Sequence, residues 1–383
     1  MRSNAPRSRG LRTMLAAALL TVAAYAAAAE LRSDHPSSYV VKRGDTLWDI
    51  SARFLKKPWL WPEIWQANPQ IKNPHLIYPG DVLSLAYLDR VAVQPGARTD
   101  SPVNAMPLAD IEPFLKDLRI VHDITNLPYV VGLEDDRLHA VRGQVAYVRG
   151  LDGAAAGQRY LVVRPEKRFR TPGNLADSGA VDLDARGDHM RLAGFNDNVW
   201  GASSSSGELL GYELMTQTTG TVTRGEVNGL QVSTLLLDAE GRDVRPGDRL
   251  IPVEAQTYDL QFIPHPPKQA NTGNISVISV SDHYKFGGTR DVIAISGGAR
   301  DGIDNGTVFS LWRHGTVVAD KIASGLDRNA GFPLSGKSAR LPDEFAGHAM
   351  VFRTFDNISY ALVMSSVKPV HLGYEAKHPD ASY

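Results

Sequence analysis

The sequence predicts an α+β chain: a small β-α-α-β module near the N-terminus, then a mainly antiparallel, β-rich body with candidate internal repeats. Three observations predict it. Tyr39–Leu85 carries strand, turn and helix-start signals in close succession. After Pro128 the pattern changes to short apolar runs punctuated by Gly and Asp, which favours strands. The 34 Gly and 23 Pro require many turns, and with no Cys the fold must rest on buried apolar surface instead of disulfides.

The chain starts with Arg2, Arg7, Arg9 and Arg12 and no acid before the apolar, Ala-rich run Met14–Ala29. A basic start, an apolar middle and small residues at Ala27 and Ala29 are the three parts of a secretory signal, so residues 1–29 are expected to be cleaved before Glu30. Sixteen residues, many of them Ala, are short and weakly apolar for a membrane anchor, and no transmembrane span is expected after cleavage. Without the leader's four Arg, 37 basic residues face 42 acidic ones, a formal balance of −5. That balance argues against a nucleic-acid partner, which needs a basic face.

Within the module, "YVVK" reads as a strand and Gly44 permits a tight turn. Asp45 or Thr46 can cap the helix that follows, and Thr46 to Asp49 has the capping-box spacing. Leu47, Ile50 and Phe54 recur on one helical face and are expected to form the small core. Pro62 suits the first turn of a second helix, Asn68-Pro69 ends it, and "YPGD", Tyr78–Asp81, turns the chain into the closing strand.

On "YVVKRGDTLWDIS", "ANPQI" and "NPHLIYPGDVL", Tyr39–Leu85 resembles a LysM domain, a small carbohydrate-binding module of cell-wall proteins. The resemblance implies a shallow glycan groove with Gly44, Asp45, Thr46 and Leu47 on one side and Asn68, Ile71, Asn73, Leu76 and Ile77 on the other. Backbone amides and carbonyls there would pair with an acetamido group, and Leu and Ile would contact its methyl. Asp45 and Thr46 are helix caps on a purely structural reading, and Ile77 is equally a core residue. The segment "KKPWLWPEIW" is richer in Trp than the family pattern. Trp48, Trp59, Trp61 and Trp65 all fall in this module of 47 residues, so at least one indole is expected at the surface.

The rest of the chain is expected to form a linker over 89–110, a β-rich domain over 111–262 and a second over 270–375, with Pro264, Pro266 and Pro267 near the boundary. One short helix is expected within Ile111–Leu127, from the spacing of Phe114, Leu118 and Val121. Three segments share a Gly turn feeding a strand: Ala154–Arg164, Asp243–Val253 and Asp301–Arg313, turning at Gly157, Gly247 and Gly306. The first two would lie in the first β-rich domain and the third in the second, although any β-rich chain produces such echoes. "GASSSSGE" at Gly201–Glu208 reads as a flexible loop, and Asp356-Asn357 as a two-residue hairpin. This body, with "LLGYEL" and "RPGDRLIPV", resembles bacterial exported LysM proteins, a likeness that carries no activity.

"GFPLSGKS", Gly331–Ser338, matches the phosphate-loop pattern, but its entry is polar and Pro342 follows too soon for a helix. "DLDARGD", Asp182–Asp188, begins like a calcium loop but places Arg186 at a ligand position. There is no HExxH, GxSxG or Cys nucleophile, and no metal or other cofactor is expected. The leading expectation is therefore a non-catalytic, exported protein, periplasmic or associated with the cell wall. It binds peptidoglycan through the module, and its β-rich body docks an envelope partner. The alternatives are a cell-wall hydrolase or transferase with its site in Pro128–Tyr383, and an envelope scaffold whose module has lost sugar binding.

Overall fold

The computed structural model describes residues 32–34, 36, 38–62, 77–87, 90–94, 106–171, 200–203, 207–226, 231–253, 262–268, 275–281, 286–320, 322 and 337–381. The expected leader, the calcium-like segment and Asn68, Ile71, Asn73 and Leu76 of the expected groove lie outside these residues. Antiparallel strands dominate, with few helices. Among the described residues no helix is long and apolar enough to cross a membrane. The chain divides into two compact units, 1–105 and 106–383.

The first unit contains β1 (Ser38–Val40), helix α1 (Leu47–Phe54), a 3-10 turn over Pro58–Leu60, β2 (Val82–Tyr87) and β3 (Arg90–Gln94). The three strands form an antiparallel sheet in the order β1-β2-β3. Part of the stretch read as linker is therefore a strand: Leu83 faces Val93 and Ser84 faces Ala92. Leu47, Ile50 and Phe54 are buried on one face of α1, as their spacing requires.

The second unit opens with helix α2 (Leu108–Lys116) and β4 (Leu118–Val121). The helix expected within Ile111–Leu127 is thus displaced toward the N-terminus, and Leu118 and Val121 stand in a strand. The main-chain groups of β4 are satisfied by pairing with residues 212–215, which outweighs the helical spacing of its apolar side chains.

Next come β5 (Tyr129–Leu133), β6 (Val145–Arg149), β7 (Arg159–Arg170), β8 (Trp200–Ser203), β9 (Leu209–Arg224), β10 (Ser233–Leu237) and β11 (Arg249–Pro252). Six of them close into an antiparallel ring, β5-β6-β10-β9-β7-β11 and back to β5, with β4 added on β9. Val130, Ala146, Val162, Val222, Leu235 and Leu250 fill this first barrel.

The last strands are β12 (Val277–Ser281), β13 (Phe286–Gly287), β14 (Val292–Ile295), β15 (Val308–Arg313), β16 (Val317–Ala319), β17 (Ser338–Arg340), β18 (Glu344–Thr354), β19 (Ser359–Ser366), β20 (Val370–His371) and β21 (Glu375–Lys377). Here the ring is β12-β14-β19-β18-β15-β21. It is closed by a Ser276–Glu375 bridge and by the Val277 N–H donating to the Tyr374 carbonyl at 2.8 Å. If each barrel's six ring strands are numbered in chain order, both rings read 1-2-5-4-3-6, so the second unit holds one topology twice. The Asp356-Asn357 tip joins β18 to β19 as expected, with Phe355 N–H donating to Ile358 O at 2.9 Å.

The stretch read as a flexible loop contributes β8, whose Ala202 and Ser203 pair with Val280 and Ser279 of the second barrel. Backbone pairing at an edge does not depend on apolar side chains, so composition hid this strand. The barrels also meet through buried polar groups. Lys167 Nζ donates to Ser279 Oγ at 2.8 Å, and the Tyr360 hydroxyl donates to Glu213 Oε2 at 2.6 Å. Burial lowers the Lys167 amine to about 7 against the opposing pull of Glu213. The Arg353 guanidinium donates to the Phe114 and Leu115 carbonyls at the end of α2, satisfying acceptors that a helix terminus leaves open.

Candidate functional site

The described half of the expected groove is the lip Gly44–Leu47. Gly44 has φ +88, a left-handed conformation that Gly adopts without cost, and it is exposed. Asp45 does not cap the helix. Its carboxylate accepts the Lys42 N–H at 2.8 Å and the Tyr39 hydroxyl at 2.7 Å, closing the turn and tying it to β1. The Arg53 guanidinium lies 4.7 Å from the centre of the Tyr39 ring. Burial, then the hydrogen bond and charge of Asp45, raise the Tyr39 phenol, while Arg53 acts in the opposite direction.

Thr46 is the cap. Its Oγ1 accepts the Asp49 N–H at 3.1 Å and donates to the Asp49 carboxylate at 2.8 Å. The two side chains therefore meet each other, and the Asp49 carboxylate takes the cap hydroxyl instead of the cap's main-chain N–H. Thr46, Leu47 and Ile77 are buried, whereas Gly44 is exposed and Asp45 half-buried. What the lip offers to a ligand is thus the exposed Gly44 main chain, since the Asp45 N–H donates to Lys42 O at 3.2 Å and Asp45 Oδ2 already accepts two hydrogen bonds. The second turn mirrors this order: Gly80 has φ +91, and the buried Asp81 accepts the Tyr78 N–H at 3.0 Å. Trp48, Trp59 and Trp61 are all buried, the first two with ring centres 6.4 Å apart. Trp65 lies outside the described residues. Sequence reasoning did not single out Tyr39 and Arg53. Their contact with the lip runs across the fold, and no spacing rule announces it.

A short strand, two Gly turns and a Thr-capped helix packed under a shallow polar lip define a small binding module. Residues 39–86 match the family model of the LysM domain, so the chain carries a LysM domain, a module that binds glycans of the peptidoglycan or chitin type. A 60-residue stretch is 37% identical to the uncharacterized protein YqbP of Bacillus subtilis (strain 168), covering 13% of this chain and 27% of that protein. The match thus spans about a quarter of that relative.

In the second unit, acidic groups are held by cations. Burial acts to raise Asp243, yet hydrogen bonds from Arg245 and His139 and the charge of Arg164 hold it at about 2. Arg164 also makes a two-pronged contact with buried Asp248, at 2.8 and 2.9 Å. His314, Asp343 and Glu375 could each place a ligand atom within 4.8 Å of the others. Lys377 Nζ already sits 2.8 Å from Asp343 and 3.2 Å from Glu375, so an ammonium supplies the positive charge there. At the phosphate-loop match, Ser338 starts β17, an extended strand where a phosphate cradle needs a helix.

Proposed function

We propose that the protein is an exported, non-catalytic envelope protein that binds peptidoglycan through its LysM domain and presents the paired barrels to an envelope partner. The lip carries the reading: a Gly turn with an exposed main chain, fixed by Asp45 to Tyr39 and by Thr46 to the helix. Such a lip can donate to and accept from an acetamido group without any reorganisation of its own. Asn68, Ile71, Asn73 and Leu76 are proposed as the facing side, and Ile77 as its buried support.

The non-catalytic reading is supported by how the body's charges are used. Asp243, Asp248 and Asp343 each face a guanidinium or an ammonium, which suits ion pairing better than proton transfer. Among the described residues, Lys167 Nζ and Ser279 Oγ stand 2.8 Å apart but Ser279 is fully buried, and Ser365 Oγ stands 3.5 Å from His348 Nδ1, long for a nucleophile–base hydrogen bond. The test is retention of the full chain on purified sacculi and its release by N-acetylglucosamine oligomers. Ile71→Asp should weaken retention while circular dichroism stays unchanged. Retention that survives Ile71→Asp and is not released by oligomers of any length would overturn the groove.

A further inference from the structure

The two barrels share one topology but use one connection differently. In the first barrel the connection from β7 to β9 carries β8, which is added to β12 of the second barrel. In the second barrel the equivalent connection, from β15 to β18, carries the two-stranded ribbon of β16 and β17. All six ribbon residues are exposed. Val317 and Val318 are 62% and 39% exposed, and Leu341 and Ile322 beside them 44% and 75%.

The stem of the ribbon is clamped. Asp343 Oδ1 accepts the Gly315 N–H at 3.0 Å, its other oxygen accepts Lys377 Nζ at 2.8 Å, and Arg340 lies 3.3 Å away. A two-stranded ribbon with both faces in water is marginal alone, and an edge without Lys, Pro or a bulge is a template for another strand. The β16 edge reads Val-Val-Ala.

We propose that β16 pairs with β16 of a second copy of this chain. Leu341 N–H donates to Thr316 O and Asp320 N–H to Lys337 O, at 2.9 and 2.8 Å. Antiparallel strands alternate their bonding, so Thr316, Val318 and Asp320 spend their main-chain groups on β17. Val317 and Ala319 therefore direct theirs outward. A two-fold axis through Val318 sets Val317 opposite Ala319 of the copy, twice, which gives four main-chain hydrogen bonds and a Val318–Val318 contact. Thr316 then faces Asp320, and no like charges meet along the edge. Centring the pairing on β17 would instead set Arg340 against Ser338. A three-residue edge is smaller than a standard interface, so association should fall at about 10 μM to 1 mM. The dimer carries two LysM domains, and a weak glycan lip gains avidity from being doubled.

Sedimentation velocity of the full mature chain from about 1 to 200 μM should show a monomer–dimer equilibrium. Val318→Asp and Val318→Lys should each give monomers by placing like charges across the axis, and mixing the two should restore dimer. Ala319→Pro removes an outward N–H without touching a bond to β17, and should also give monomers. Circular dichroism melts should be unchanged in all three, because the residues are exposed. A wild-type monomer at 200 μM, or a dimer indifferent to all three substitutions, would overturn the pairing.

Discussion

At residue 46 one hydroxyl holds the start of α1, and Thr46→Ala should lower the stability of the LysM domain by about 1 kcal/mol in denaturant titration. The cap was legible because its partner lies three residues on; the role of Asp45 was not, because Tyr39 reaches it from the strand. Arg290 has φ +76 at a turn where comparable strands use Gly, and its side chain is exposed. Arg290→Gly should therefore stabilise the second barrel by about 1 kcal/mol, since left-handed backbone costs a side-chain-bearing residue roughly that much. Protonation adds a two-stage acid response. Burial lowers His348 to about 4, so between about 6.5 and 4 the unfolded chain binds the extra proton and stability falls as pH drops. Asp243 and Asp343, both at about 2 through their cationic partners, add a further loss between about 4 and 2. Denaturant midpoints at pH 7.5, 5 and 3 should descend in that order, and His348→Gln should flatten the first step.

At the scale of the element, one turn recurs. At Gly157, Gly247, Gly306 and Gly373 the N–H donates to the carbonyl of Val222, Val130, Val351 and Val277. Each of these valines returns its own N–H to the carbonyl of the residue after the Gly, all at 2.7 to 2.8 Å. The four Gly have φ between +77 and +97. Gly157, Gly247 and Gly306 were legible as Gly turns feeding strands, and in each the next side chain, Gln158, Asp248 or Thr307, accepts the N–H three residues back. Gly373 was not, and neither was Gly143, although Gln144 accepts the Val141 N–H in the same way and the Gly143 N–H donates to Leu237 O at 2.8 Å. The same latch at Gly80, on Val41 of the LysM domain, shows that it is a local device for entering a strand and not by itself a copy. The duplication lies in the order of the strands, which depends on long-range pairing that periodicity does not report. Gly157 and Gly306 occupy matching places but differ in space. A Cβ on Gly306 would meet the Ile263 carbonyl oxygen at 2.3 Å, whereas one on Gly157 meets nothing within 4 Å. Gly306→Ala should thus cost about 3 kcal/mol or more in urea unfolding, and Gly157→Ala only about 1 to 2.

At the scale of the whole molecule, the chain couples a small glycan-binding module to a larger unit of two like barrels. The module was legible because its turns, cap and core crowd into 47 residues of local signal. The barrels were legible as β-rich, but their closure, the crossing of β8 and the buried Lys167–Ser279 and Tyr360–Glu213 contacts join residues far apart in the chain, from 76 positions for Ser203 and Ser279 to 147 for Glu213 and Tyr360. Glycan binding is expected of the module alone. Co-sedimentation with purified sacculi tests this by comparing the full chain with residues 106–383. The full chain should be retained in moderate salt, because the recognition is largely uncharged, and residues 106–383 should stay in the supernatant. Retention of residues 106–383 to the same extent as the full chain would place glycan binding outside the module.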